Sequence, residues 1–423
     1  MSTLRCIASG ETESTTSARF RSRAGGLFAV EHDLEALGEG APDLKARFDA
    51  RLSELSSPYS SGVWRYHELI LPDLPREAIV SLPEGNTPLY RRRGLERFIG
   101  LGTLWVKHEG ENPTLSFKDR GMTAGVSWAK HVGARRVACA STGDTSAAMA
   151  AYAAAAELPA VVLLPHEKVS LEQLAQPICY GAQVLALETD FDGCMGLVQE
   201  LTESGEIYLL NSMNPFRIEG QKAIGIELLH QLGWHVPDWM VIPVGNAGNI
   251  SALGKALLEL SALGVIDKLP RLVGAQSAAA GPLVKAHTEG YLRHVRVQAQ
   301  RTVASAIRIG DPVSYDKAVS VTRELGGLFV AATDAEALEA KAAADASGVH
   351  VCPNSGVALA AAKQLVSDGT IKRSDSVAII ATAHGAKFSQ AAIDYHTGQA
   401  GRRRNPPRVL PARIDAVRAA LSS

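Results

Sequence analysis

The chain has 423 residues, 43 Lys plus Arg against 44 Asp plus Glu, a net charge of -1, and 46% hydrophobic and 21% charged residues. That length holds two domains with a substantial core, and the charge balance excludes a nucleic-acid binder or a basic membrane-surface protein. No apolar run approaches the ~18 residues of a membrane span, and five scattered cysteines without a Cys-x-x-Cys pair argue against a disulfide framework or a metal site.

A reducing cytoplasm is the simplest expectation. The first 23 residues lack an apolar signal core. Their Ser, Thr and Arg content leaves organelle targeting open, although Glu11 and Glu13 weigh against it. Residues 43–55 read as a short amphipathic helix and 56–64 as a loop. Beyond them an apolar β-rich run, a Gly/Ser/Asn turn and an Ala-rich helical stretch recur, at 135–156, 239–263 and 376–396. Residues 160–165 and 182–187 are further buried strands. The Ala-rich 336–347 reads as compositional bias, and the basic 401–411, with its Pro pair, as an exposed C-terminal segment. Continuous apolar strands alternating with helices imply an α/β fold with mostly parallel sheets flanked by helices. The strand-to-helix turns then share one edge, where ligands bind.

The sharpest signal is WVKHEGENPTLSFKDRGM at 105–122. A strand leads through Gly110, Asn112, Pro113 and Thr114 to a helix that Ser116 is placed to cap. Lys118 then lies at a helix N-terminus facing a cleft. A cation is disfavoured there, but the same field lowers the amine pKa and favours the neutral form that makes an imine.

Further on, VIPVGNAGNISALGKA forms strand, turn and helix. Gly245, Ala247 and Gly248 let backbone amides approach an anion, Asn246 and Asn249 add side-chain donors, and a helix from about Ile250 aims its positive end at the same place. The spacing fits neither a P-loop nor a dinucleotide fingerprint. ASTGDTSAAMAAYAA is a second anion-binding turn, with Ser141, Thr142, Gly143, Thr145 and Ser146 ahead of a helix. Asp144 there is an N-cap, protonated, or turned away from any anion. In YLLNSMNPFRIEGQK, Asn211 and Arg217 are close enough in sequence to fork onto phosphate oxygens. Thr382 ends an apolar strand with a hydroxyl that can bond a ring nitrogen. Ser355 and Gly356 look like a turn and cap, and Cys352 like packing.

The motif ENPTLSFKDRGM resembles the Schiff-base segment of the fold type II pyridoxal-phosphate enzymes, and the chain from about Trp64 to His396 resembles the plant-type branch of the threonine synthase family. The resemblance implies the tryptophan synthase β-like two-domain fold. It places a larger cofactor-binding domain at 91–122 and 213–400, a smaller α/β domain inserted at 123–212, an N-terminal segment at 1–90 and a tail at 401–423. It implies that Lys118 holds pyridoxal 5'-phosphate and shuttles protons, and that Gly245, Asn246, Ala247, Gly248 and Asn249 cradle the cofactor phosphate. Thr382 is to meet the pyridine nitrogen, and Asp144 stands where many relatives place an Asn on the phenolic oxygen. Ser141, Thr142, Gly143 and Thr145 are to grip the substrate carboxylate, with Asn211 and Arg217 on the phosphate of O-phospho-L-homoserine. A homodimer is implied too. The start of the chain resembles a family cysteine knuckle. It keeps Cys6 but not its partners, so a metal-free hairpin is expected. Residues 58–72 resemble the region where plant members bind the activator S-adenosylmethionine. Alternatives are a threonine dehydratase, a cysteate synthase, or a non-catalytic nucleotide-binding protein.

Overall fold

The computed structural model describes residues 2–422 except 18, 41–42, 142 and 167–170, with side chains for all of these but 171–173, 191 and 192. At the start, β1 (Thr3–Cys6), β2 (Thr12–Glu13) and β3 (Phe28–Glu31) form an antiparallel sheet ordered β2-β1-β3. The expected hairpin thus gains a third strand, and Cys6 is buried opposite Phe28.

Next, β4 (Leu89–Tyr90) and β5 (Thr103–His108) open a larger sheet. The chain leaves it to build β6 (Val137–Ala140), β7 (Ala160–Pro165), β8 (Gln183–Leu187) and β9 (Tyr208–Leu209), an all-parallel sheet ordered β8-β7-β6-β9. It then returns for β10 (Trp239–Pro243), β11 (Arg271–Ser277), β12 (Leu328–Ala332) and β13 (Ser376–Ala381). The large sheet runs β12-β11-β10-β13-β5-β4 and is parallel except for β4.

Side-chain alternation explains why the central strands are unbroken apolar runs. In β10, Met240 and Ile242 enter one core while Trp239 and Val241 enter another, and in β13 Ala378 and Ile380 oppose Val377 and Ile379 in the same way. Helices Lys118–His131, Pro215–Gln231 and Gly248–Ala262 cover the first face; Arg93–Ile99, Asp334–Asp345 and Pro353–Ser367 cover the second. The stretch 336–347 is therefore structural. Its helix starts in a capping box in which Thr333 and Glu336 bond each other's backbone amides. The tail from 401 is exposed, with one further helix, Ile414–Leu421, that buries no residue.

Helices Lys118–His131 and Pro215–Gln231 cross closely enough that a Cβ at Gly220 would overlap the Arg120 carbonyl oxygen. One at Gly125 would come within 2.9 Å of Arg217 Cγ. Beneath this crossing lies a closed charge network. Arg120 Nε and Nη2 donate to the two oxygens of Glu109 at 2.6 and 2.8 Å, and Nη2 also donates to Glu227 Oε1 at 2.8 Å. Lys107 is bonded to Glu227 as well, and donates to Thr87 O at 2.7 Å and Gln231 Oε1 at 2.8 Å. Burial alone would raise the Glu227 carboxyl; Arg120 and Lys107 overcome it and hold the group well below the usual carboxylate range.

Glu227→Gln would leave buried Lys107 and Arg120 short of countercharge. It should lose about 3–5 kcal/mol in urea unfolding at neutral pH; a loss under about 1 kcal/mol would contradict this account of the network. Because the native value is depressed, the wild-type contribution is complete above about pH 4.3 and fades as pH falls toward the folded value.

Candidate active site

The carboxyl ends of β5, β13 and β10 lie side by side, so the lysine loop, Thr382 and the 244–249 turn share one edge of the large sheet. Backbone bonds stitch the first two together. Phe117 N donates to Thr382 O at 2.9 Å, His384 N donates to Leu115 O at 3.0 Å, and Ser116 bridges Ala383. Inside the loop, the Asp119 carboxylate accepts from Thr114 N at 3.0 Å and from its hydroxyl at 2.9 Å.

Lys118 is the first residue of its helix, with Phe117 at the N-cap position; Ser116 Oγ accepts the Lys118 amide at 3.3 Å instead of capping as expected. The Lys118 amine lies 4.2 Å from the centre of the Phe117 ring. Among the described residues it makes no hydrogen bond or ion pair. Burial first, and then the charge of Arg217, push it down to about 7, while Asp144 opposes them. Low dielectric and a neighbouring cation therefore favour the free amine.

In the second turn, Ala247 takes the left-handed conformation at φ 65° and the helix begins at Gly248, two residues before the expected Ile250, so Gly248 and Asn249 lie in its first turn. Asn246 O accepts from Ser314 N at 3.0 Å, which pins the turn from behind. A Cβ at Gly245 would come within 3.0 Å of Ile307 Cα. Asn249 is buried, and neither polar atom of its side chain has a partner.

On the smaller sheet, Gly143 precedes the helix Asp144–Ala155, which begins after β6. Ser141 Oγ accepts from Gly143 N at 3.4 Å, and Ser146 donates to Gly143 O at 2.8 Å. Thr145 lies in the first helical turn; Thr142 is outside the described residues. Asp144 caps nothing: its carboxylate pairs with Lys387 at 2.8 Å. Asn211 spends its side chain on the backbone of Ala140, accepting from N at 2.8 Å and donating to O at 2.9 Å. It thus ties the end of β6 to the segment after β9, in the present geometry a strut for the neighbouring turn.

Arg217 is buried, donates Nη1 to Leu210 O at 2.9 Å, and has an unpartnered Nε. No carboxylate pairs with it among the described residues, and burial lowers its value to about 10. Thr382 N donates to Ser355 Oγ at 2.9 Å, and its own hydroxyl lies 3.9 Å from Cys352 Sγ. Cys352, not Ser355 or Gly356, is the cap of helix Pro353–Ser367, its sulfur accepting from Ser355 N.

Residues 80–383 match the family described as pyridoxal-phosphate dependent enzyme. Threonine synthase 2, chloroplastic, of Arabidopsis thaliana is 44% identical over 97% of this chain and 82% of its own length. The threonine synthase of Methanosarcina acetivorans is 43% identical over 99% of this chain and 98% of its own. This chain belongs to the threonine synthase family of pyridoxal-phosphate dependent enzymes. The Escherichia coli threonine synthase structure shares the fold, with a TM-score of 0.69 at 21% identity over 100% of this chain and 99% of that one. Maize serine racemase does so with a TM-score of 0.62 at 19% identity over 83% and 96%.

The residues present fit the family's cofactor. Lys118 offers an unbonded amine for the aldehyde, while the 245–249 turn offers a tight backbone, a helix start and an orphaned Asn249 amide for a phosphate. The sequence reading missed Lys387. Its available signal was a lysine five residues beyond Thr382, in the same strand-end turn.

Uptake of pyridoxal 5'-phosphate by the apoprotein should rise about tenfold per pH unit below 7, as the amine deprotonates, and level off above it. Stopped-flow absorbance, with borohydride fixation mapped to Lys118, measures this. A rate that keeps climbing to pH 10 would mean an ordinary solvated lysine.

Proposed function

We propose that this enzyme converts O-phospho-L-homoserine and water to L-threonine and phosphate. Arg217 carries the proposal. Its buried guanidinium has one carbonyl contact, an unpartnered Nε and no carboxylate among the described residues, which suits it to an anion, and its charge acts on Lys118. A substrate with a phosphate leaving group supplies one; a dehydratase substrate has no such group. Cysteate synthase, which also handles a phosphate, differs in product.

The role of each side chain follows from its place. Lys118, once the substrate amine has taken its position, removes the Cα proton; an amine near 7 both takes and returns protons at neutral pH. The bound cofactor supplies an electron sink for the charge left on carbon. The Thr382 hydroxyl would bond the pyridine nitrogen and leave it neutral. Ser141, Thr142, Gly143 and Thr145 hold the substrate carboxylate against a helix start. Amides of 245–249 hold the cofactor phosphate. A Cβ proton is then lost and its electron pair expels the phosphate, whose charge Arg217 stabilises as the Cγ–O bond breaks; a proton returns to Cγ, water adds at Cβ, and Cα regains its proton. Asn211 contributes by fixing the Ala140 end of β6, with one amide proton to spare for the phosphate.

A smaller domain at 123–212 and a larger one at 91–122 and 213–400 are proposed on the four-stranded and six-stranded sheets. A homodimer in a reducing cytoplasm is proposed on family resemblance and on the five free cysteines. None of the described helices is long and apolar enough to cross a membrane.

Incubation with O-phospho-L-homoserine should yield threonine and phosphate in equal amounts; phosphate without threonine would reject the assignment. Arg217→Ala should cut kcat/KM by about a hundredfold or more while the protein still loads cofactor at Lys118. Parallel loss of loading and turnover would remove the phosphate role from Arg217.

A further inference from the structure

Lys387 lies in the short 3-10 turn Gly385–Phe388 after β13, and its amine meets three separate segments. It pairs with Asp144 at 2.8 Å, donates to Thr114 O at 3.0 Å and to Gln176 Oε1 at 3.1 Å. These acceptors belong to the helix after β6, the lysine loop, and helix Leu171–Cys179 after β7. An ammonium has three protons to donate, and here each has an acceptor. The side chains of Lys387 and Asp144 are only 16% and 11% exposed. Such a pair is fixed in geometry, unlike the loose ion pairs of a solvated surface.

The pair also bears on Lys118. The charged groups acting on that amine are Arg217, from helix Pro215–Gln231, and Asp144, from helix Asp144–Ala155. Asp144 therefore has two cations within reach and is bonded to one.

We infer that Lys387 is a positioning residue that supplies the countercharge for Asp144 and thereby latches the start of the helix Asp144–Ala155 onto the lysine loop. The inference rests on the reading above, in which anionic ligands occupy the space between those loops. A bare carboxylate there would repel phosphate, carboxylate and phenolate alike. Lys387 cancels that charge and leaves the field of Lys118 and Arg217 to the ligands. Without it, Asp144 would be left to act on Lys118 alone, which would change from a free amine into an ammonium held by that carboxylate.

The test uses the full-length protein. In Lys387→Met, the pH midpoint for cofactor uptake should move up from about 7 by about one unit or more. Amide exchange of the apoprotein at 141–144 and 174–179 should accelerate. Adding Asp144→Asn to Lys387→Met removes the uncompensated charge and should return the midpoint toward wild type, and Lys387→Arg should keep it there. An unmoved midpoint in Lys387→Met overturns the countercharge, and so does a shifted midpoint that Asp144→Asn does not restore, since that would mark a merely structural lysine. Unchanged amide exchange overturns the latch. If wild type itself takes up no cofactor at Lys118, the functional reading fails, while exchange in the apoprotein still decides the latch.

Discussion

The site depends on Arg217 being buried without a carboxylate. Several other buried cations sit in closed company: Arg120 has Glu109 and Glu227, Lys107 has Glu227, and Lys222 pairs with both Glu219 and Glu259, while Arg65 and Lys317 make do with neutral oxygens. The closed networks settle their desolvation internally and need nothing from outside. Arg217 has a single carbonyl contact and an idle Nε. Its charge is left to act on Lys118. The guanidinium depresses the Lys118 amine and invites anions, which are the two requirements of a cofactor with an aldehyde and a phosphate and a substrate with a second phosphate.

Position matters as much as charge, and the strand order supplies it. Because β5 and β13 are paired in register to their ends at His108 and Ala381, the loops that follow them emerge together. Their backbones bond directly, so Lys118 and Thr382 are held by the same short stretch of antiparallel contact. The smaller sheet is a separate parallel unit, and Asn211 and Lys387 are the side chains that fasten its ligand-facing turn, one from within that sheet and one from across the gap.

Much of this was legible in the amino-acid order. Lys118, the 245–249 turn and Thr382 announce themselves because chemistry requires particular residues at strand ends, and apolar runs such as 160–165 coincide with β7. Other elements left weaker traces. β11 contains Gly274 and Gln276, which break the apolar run; β4 and β9 are two residues each and carry no period. The Ala-rich 334–345 helix was hidden by its low contrast, although Thr333 and Glu336 spell a capping box. Side-chain partnership was the least readable level. Whether Asn211 bonds a ligand or Ala140, and whether Asp144 caps a helix or pairs with Lys387, depends on residues far apart in the chain that only folding brings near.

The tight crossing at Gly125 and Gly220 sets how far apart the amine and the guanidinium stand. Two hydrogen atoms, in place of methyl groups, let the helix that begins with Lys118 and the helix that carries Arg217 pack this closely. The placing of the proposed phosphate-binding arginine is thus set by a helix-to-helix spacing, on residues without a side chain. A change of leaving group could arise by adding one carbon at position 125, which would crowd the arginine stem aside while every ligand-facing residue stayed the same.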